Sequence, residues 1–160
     1  MRIIKQSLFI LTAVVGTITT AGLITQAGSS VTIEKIEETA LDQLLQAKNN
    51  QLVVTFMAAW CGLCIDELPI LNKLYRKYNK KGLKLIGISI DIEGPGAMQP
   101  IADKLKIDFP IYWYGEKGVK KFKLNAIPML FFIKDGEVVD KLYGRHPESS
   151  INKRFREFLK

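Results

Sequence analysis

The two cysteines of the chain lie where a buried strand is predicted to lead into a helix. The apolar residues 52–59 precede the motif Trp-Cys-Gly-Leu-Cys at residues 60–64, and a helix-like segment at residues 65–80 follows it. Unpaired N–H groups and the helix dipole at a helix N-terminus favour negative charge. Since the thiolate is the nucleophilic form of cysteine, this position predicts a lowered pKa and a reactive Cys61. One helical turn brings Cys64 within reach, so we expect the pair to cycle between dithiol and disulfide.

Size and composition predict one folded domain that does not bind nucleic acid. The 160 residues are 48% hydrophobic, which is enough for a single core. The formal net charge is +7, and the basic residues are spread out apart from lysines at positions 117, 120, 121 and 123. We expect this lysine cluster to be a solvated face, with an acidic partner or an anionic lipid surface as the alternative. No aromatic reader motif accompanies the lysines, which argues against nucleic acid as a partner.

Residues 1–28 are predicted to be an export segment rather than part of the fold. Arg2 and Lys5 form a positive start, and residues 7–24 are uncharged. This run of 18 residues is just long enough to span a bilayer, whereas the small residues before Gly28 offer a cleavage site. A single-pass anchor and a cleaved signal peptide therefore both remain open, while a lipoprotein is excluded because no cysteine lies nearby. The positive-inside rule places the remaining domain outside the cytoplasm.

Residues 29–160 are predicted to form a single α/β domain with a sheet flanked by helices. Continuous apolar runs predict strands buried on both faces, and a Lys-Asp-Gly turn at residues 134–136 predicts a closing hairpin. The predicted strands are residues 51–58, 83–91, 111–113, 129–133 and 137–143. The predicted helices are residues 40–48 with Thr39 as N-cap, 65–80, 97–105, 117–122 and a C-terminal helix from Ser149. This order mixes parallel crossovers with an antiparallel hairpin, which predicts a mixed sheet.

Several motifs outside the cysteine pair occur in a recognisable combination. They are Pro69 within the helix after the cysteines, Ile127-Pro128 before the hairpin, the run 64–69, the strand 87–91, and Phe109-Pro110. With these motifs the chain resembles the thioredoxin superfamily over nearly all of residues 38–160. Within that superfamily it is most similar to the membrane-anchored, extracytoplasmic TlpA/ResA-type proteins. The resemblance implies a thioredoxin-like fold with a central mixed sheet.

The resemblance also implies roles for the cysteines and for an acid beside them. Cys61 attacks a substrate disulfide, and Cys64 resolves the mixed disulfide that forms. Glu67 lies one turn after Cys64 and manages protons, as the glutamate of the TlpA/ResA pattern does. Complementation of the helix dipole is the alternative role of Glu67. Thioredoxin itself places an acid on the preceding strand, where this chain has Thr55.

Three further residues are expected to bind the substrate chain. By resemblance, Pro128 is a cis-proline facing the disulfide, and it exposes the backbone of Ile127 to an extended substrate. Trp60 shapes the rim of the site or, alternatively, is a plain core aromatic. His146, the single histidine, is expected to be an exposed loop residue. No metal and no cofactor are expected, because two thiols and one histidine fall short of the four ligands that zinc needs.

The leading hypothesis is an extracytoplasmic thiol–disulfide oxidoreductase that reduces disulfides in substrate proteins. The resemblance implies a membrane electron donor of the DsbD/CcdA kind and substrates such as apocytochrome c. The same residues would serve a disulfide-forming oxidase, which only the reduction potential distinguishes. A further alternative is a non-enzymatic Cu(I)-binding chaperone module that uses the two thiolates. A structural disulfide and a peroxiredoxin-type peroxidase are less compatible with the motif.

Overall fold

A mixed sheet of six strands forms the centre of the molecule. The computed structural model describes residues 31–160, so the predicted export segment, residues 1–28, lies outside the described residues. The strands are β1 (Glu34–Lys35), β2 (Gln51–Met57), β3 (Leu83–Ser89), β4 (Ile111–Trp113), β5 (Met129–Lys134) and β6 (Glu137–Tyr143). Their order in the sheet is β1-β4-β3-β2-β5-β6. The predicted α/β fold with a mixed sheet is confirmed.

The two central strands, β2 and β3, run parallel to each other and are buried along nearly their whole length. Strand β5 pairs antiparallel with β2, so that Phe56 lies opposite Met129. The carboxyl end of β2 and the start of β5 therefore meet at one edge of the sheet. The segments that follow Met57 and precede Met129 lie at that same edge, and they contain the cysteine pair and Pro128.

Within residues 31–160, five α-helices flank the sheet. They are α1 (Glu38–Gln46), α2 (Gly62–Tyr78), α3 (Gln99–Leu105), α4 (Lys117–Phe122) and α5 (Glu148–Phe158). The predicted N-cap at Thr39 is wrong, because α1 begins at Glu38 and Glu37 precedes it without a side-chain cap. A carboxylate in the first turn complements the dipole there. None of the helices described between residues 31 and 160 has both the length and the apolar character needed to cross a bilayer.

Aromatic side chains anchor α5 to the sheet. Phe155 is fully buried, and its ring meets the edges of Phe132 in β5 and Tyr78 in α2 at centroid distances of 6.0 and 6.3 Å. Edge-to-face pairs of this kind add to the free energy gained from apolar burial. The C-terminal helix thereby braces the strand that leads away from Pro128.

We expect Phe155→Ala to lower the free energy of unfolding by about 3–5 kcal/mol, because it removes a fully buried ring and leaves a cavity. Urea unfolding of the disulfide-bonded protein measures this loss. Phe158→Ala is the matched control, since Phe158 meets Phe132 from a partly exposed position. Equal losses for the two variants would contradict the assignment of Phe155 as the anchor.

Candidate active site

The cysteine pair forms a disulfide at the N-terminus of α2. Cys61 is the N-cap residue, and the Cα atoms of Cys61 and Cys64 are 5.2 Å apart. The backbone N–H of Cys64 donates to the Cys61 Sγ atom at 3.2 Å. Cys61 is 8% exposed and Cys64 is 2% exposed. Cys61 is therefore the more exposed residue of the pair, and a backbone amide of the helix N-terminus faces its sulfur.

The loop between β2 and α2 is held by a carboxylate from the neighbouring strand end. Asp91 follows β3, is fully buried, and accepts hydrogen bonds from the backbone N–H of Ala59 at 2.9 and 3.1 Å. Within the loop, the N–H of Cys61 donates to the carbonyl of Ala58 at 3.1 Å. The sequence motifs did not indicate Asp91 as a residue of the site. The sequence feature that could have pointed to Asp91 is its position: it is an acidic residue that follows an apolar strand, at the sheet edge where the cysteines lie.

Glu67 lies on the inner face of α2, one turn after Cys64. Its side chain is fully buried, and its Oε1 atom accepts the backbone N–H of His146 at 2.9 Å, while Oε2 has no partner within the described residues. Burial raises the pKa of Glu67 above its ordinary value, and the His146 amide and the positive charges of His146 and Arg145 act in the opposite direction. A buried carboxyl of this kind can hold a proton or release it to a neighbouring group.

The loop that contains His146 contacts the candidate site, which the sequence did not predict. The His146 ring is partly exposed, and its Nε2 atom lies 3.1 Å from the carbonyl oxygen of Tyr143. Its backbone amide, however, binds Glu67, which is 79 residues away in the chain. Gly144 in the same loop donates its N–H to the carbonyl of Pro128 at 2.8 Å. One short loop therefore contacts both the buried acid and the Pro128 segment.

The residues expected to bind substrate lie at the sheet edge where the carboxyl end of β2 meets the start of β5. The peptide bond between Ile127 and Pro128 is cis. The β2–β5 ladder ends at Met129, so the backbone of Ile127 lies beyond the paired region. Trp60 is 64% exposed, which excludes the interpretation as a core aromatic. Leu63 between the cysteines is 55% exposed and adds a second apolar side chain to the surface around Cys61.

The arrangement can provide a reversible two-electron couple, with a buried carboxyl one helical turn after the second cysteine. Cys61 and Cys64 carry the electrons, and Glu67 offers a carboxyl on the same helix. Within residues 31–160, no group of three or more His, Cys, Asp or Glu side chains is placed to hold a metal ion.

In the lysine cluster predicted from the sequence, Lys121 forms ion pairs with Glu38 and Asp42, each at 2.8 Å.

The mixed sheet and the Cys-x-x-Cys disulfide at the start of α2 define a thioredoxin-like protein. The chain belongs to the AhpC/TSA family, whose sequence profile matches residues 28–141. It is similar to a thiol-disulfide oxidoreductase ResA of Bacillus cereus, with 30% identity over 111 residues. That match covers 68% of this chain and 64% of the relative, so the chain spans less than two thirds of the relative's length. Thioredoxin H4 of Arabidopsis thaliana is 33% identical over 108 residues, which cover 66% of this chain and 71% of that protein.

Solved structures agree with the fold. StoA from Bacillus subtilis is similar with a TM-score of 0.58 and 21% identity, covering 67% of this chain and 83% of that chain. A thiol-disulfide isomerase from Corynebacterium glutamicum is similar with a TM-score of 0.65 and 16% identity, covering 84% of this chain and 97% of that chain. The predicted membership of the thioredoxin superfamily, with resemblance to ResA-type proteins, is confirmed.

Proposed function

We propose that this protein is an extracytoplasmic thiol–disulfide oxidoreductase that reduces disulfides in substrate proteins. The observation that carries the proposal is the Cys61–Cys64 disulfide, whose first sulfur caps α2 and accepts the N–H of Cys64. The same amide and the helix dipole stabilise a thiolate on Cys61 once the pair is reduced. The names of relatives such as ResA agree with this chemistry.

In the proposed reaction, two electrons pass from the dithiol to the substrate disulfide. The Cys61 thiolate attacks one substrate sulfur, the substrate S–S bond breaks, and the first substrate thiolate leaves and takes up a proton from solvent. Glu67 then accepts the proton of the Cys64 thiol. The resulting Cys64 thiolate attacks the Cys61 sulfur, the mixed disulfide breaks, and the second substrate thiolate leaves and takes up the proton that Glu67 had received. The protein ends as the Cys61–Cys64 disulfide, and the substrate as a dithiol.

The exposed rim around Cys61 binds the substrate segment in this proposal. The unpaired backbone at Ile127 offers hydrogen-bonding groups to an extended chain at the end of the β2–β5 ladder, next to Pro128. The exposed ring of Trp60 contributes apolar contact area beside the disulfide. Apolar contacts thus bind the side chains of the substrate, and hydrogen bonds bind its backbone.

The direction of electron flow, the location and the partners also belong to the proposal. The side chains of Gly62 and Leu63 add no charge and no hydrogen-bonding group to the stabilisation that the N-terminus of α2 gives the Cys61 thiolate. Weaker stabilisation of the reduced pair makes it a stronger reductant, which favours reduction of substrates. Outside the cytoplasm the ambient couple is oxidising, so the pair needs recharging by a membrane donor of the DsbD/CcdA kind. Apocytochrome c, with its paired cysteines, is a fitting substrate, and the uncharged residues 7–24 would provide export and membrane attachment.

A redox titration against glutathione tests the proposed direction. We expect a reduction potential near that of thioredoxin, about −270 mV, together with turnover of a disulfide substrate such as insulin. A potential of about −120 mV would instead indicate a disulfide-forming oxidase. Stoichiometric Cu(I) binding without any turnover would contradict both and support the copper-chaperone alternative.

A further inference from the structure

Asp91 is a buried acid that links the loop before Cys61 to the end of β3. Its Oδ1 and Oδ2 atoms both face the N–H of Ala59, and Oδ2 also accepts the hydroxyl of Ser89 at 2.7 Å. The side chain is fully buried. A buried carboxylate without partners is costly, and here both oxygens are satisfied by donors. The reaction proposed above makes no use of this group.

The backbone of Asp91 also forms hydrogen bonds, through both its carbonyl and its N–H group. Its carbonyl accepts the indole N–H of Trp113 at 2.6 Å, and its own N–H donates to the Ser89 hydroxyl at 3.3 Å. Trp113 is the last residue of β4, and Ser89 is the last residue of β3. The carboxylate is thus mounted on two neighbouring strand ends rather than on a free loop.

The segment that Asp91 holds leads directly to the reactive cysteine. Ala59 lies two residues before Cys61 and is separated from Asp91 by 32 residues along the chain. From Ala59 onwards, the loop places Cys61 where its Sγ atom meets the N–H of Cys64. A shift of the Ala59 peptide would carry Cys61 away from that amide, which is the contact that favours a thiolate.

We propose that Asp91 is a positioning residue that fixes the Ala59 amide and thereby holds Cys61 against the N-terminus of α2. The inference rests on the proposed function, because it concerns how Cys61 is made reactive. Asp91 acts through Ala59, and it touches neither the substrate nor the reacting sulfur atoms in this account.

Two neutral variants isolate the hydrogen bond from the charge. Asp91→Asn retains an oxygen that can accept the Ala59 N–H, whereas Asp91→Leu has a similar volume and no acceptor. Both variants remove the negative charge of Asp91. The other charged groups, Glu67, Asp66 and the Arg145-His146 loop, are the same in both, so their electrostatic effects on the Cys61 thiolate cancel when the two variants are compared. The measurement is the rate of iodoacetamide alkylation of Cys61 against pH, in the reduced full chain.

We expect the midpoint of this alkylation profile to lie about one pH unit higher in Asp91→Leu than in Asp91→Asn, which is about a tenfold lower thiolate fraction below the midpoint. Coincident profiles would overturn the proposal. Ser89→Ala removes one donor to Asp91 but leaves the Ala59 contact in place, so its midpoint should shift less than that of Asp91→Leu. A shift in Ser89→Ala as large as that in Asp91→Leu would count against the specific role of the Ala59 contact.

Amide hydrogen exchange keeps the proposal testable if Asp91→Leu fails to fold. The wild-type Ala59 N–H should exchange slowly in both the oxidised and the reduced protein, and Asp91→Asn should preserve that protection. Rapid exchange of Ala59 in the folded wild type would overturn the proposal. Hydrogen exchange requires no turnover, so it tests the role of Asp91 separately from the oxidoreductase function. Failure of the oxidoreductase function would instead appear as a Cys61–Cys64 pair that does not react with disulfides.

Discussion

Cys61→Ser is expected to abolish reduction of disulfide substrates. A serine hydroxyl at the N-cap retains the polar contact with the helix but cannot attack sulfur at neutral pH or form a disulfide. Residual turnover should therefore fall to the rate of the reaction without protein. Insulin reduction with dithiothreitol as the electron source measures the effect, and N-cap preference for serine predicts that the variant stays folded.

Cys64→Ser is the matched variant, because it removes the proposed resolving thiol and keeps the proposed attacking one. Cys61 keeps its place at the N-terminus of α2 beside the exposed Trp60, so this variant should capture substrates as stable mixed disulfides. Non-reducing electrophoresis followed by mass spectrometry detects these adducts. Full turnover by Cys61→Ser, or adducts in Cys61→Ser and none in Cys64→Ser, would contradict the assignment of the nucleophile.

Local patterns predicted much of the fold because punctuating residues define the elements. The strand Ile111–Trp113, the helix Lys117–Phe122 and the strand Glu137–Tyr143 have the predicted bounds. Turn residues such as Gly136, with φ of 86°, mark where the chain reverses. The Thr39 cap failed because capping rules assume a side-chain acceptor, and α1 begins without one. The predicted export segment, residues 1–28, remains a prediction.

The spatial grouping of the candidate site residues was predictable where they are close in sequence and unpredictable where they are distant. Cys61, Cys64 and Glu67 lie within one stretch of helix, so helical geometry relates them directly. Asp91 and His146 reach the site through contacts across 32 and 79 residues. Such contacts depend on strand order and on the path of a loop, which no local pattern encodes. The open question about Trp60 was likewise resolved only by its exposure in the folded chain.

Glu67→Gln is expected to slow the resolving step about 100-fold while leaving capture of the substrate nearly unchanged. Glutamine has the same shape and can accept the His146 N–H, but it cannot accept the proton of the Cys64 thiol. The mixed disulfide on Cys61 should therefore persist. Stopped-flow measurements of single turnover separate capture from resolution, and equal slowing of both steps would argue against proton transfer by Glu67.

The same substitution should stabilise the oxidised protein, and increasingly so as the pH rises. Burial raises the pKa of Glu67 above its ordinary value of 4.5, so the folded state binds a proton more tightly than the unfolded chain does. The contribution of Glu67 to stability is therefore fully present below pH 4.5 and is lost as the pH rises through the folded pKa. Glutamine does not titrate and avoids this loss. Urea unfolding at about pH 4 and about pH 8 should give a larger advantage for Glu67→Gln at the higher pH.

Asp66→Asn provides the control for charge alone, because Asp66 precedes Glu67 on the same helix in an exposed position. This variant should show neither the slow resolution nor the gain in stability at high pH, since its carboxylate is hydrated. If Asp66→Asn reproduced both effects, the field of the helix rather than proton transfer at Glu67 would explain them. Slow resolution confined to Glu67→Gln, together with the pH-dependent gain, would identify the buried carboxyl as the group that receives the Cys64 proton.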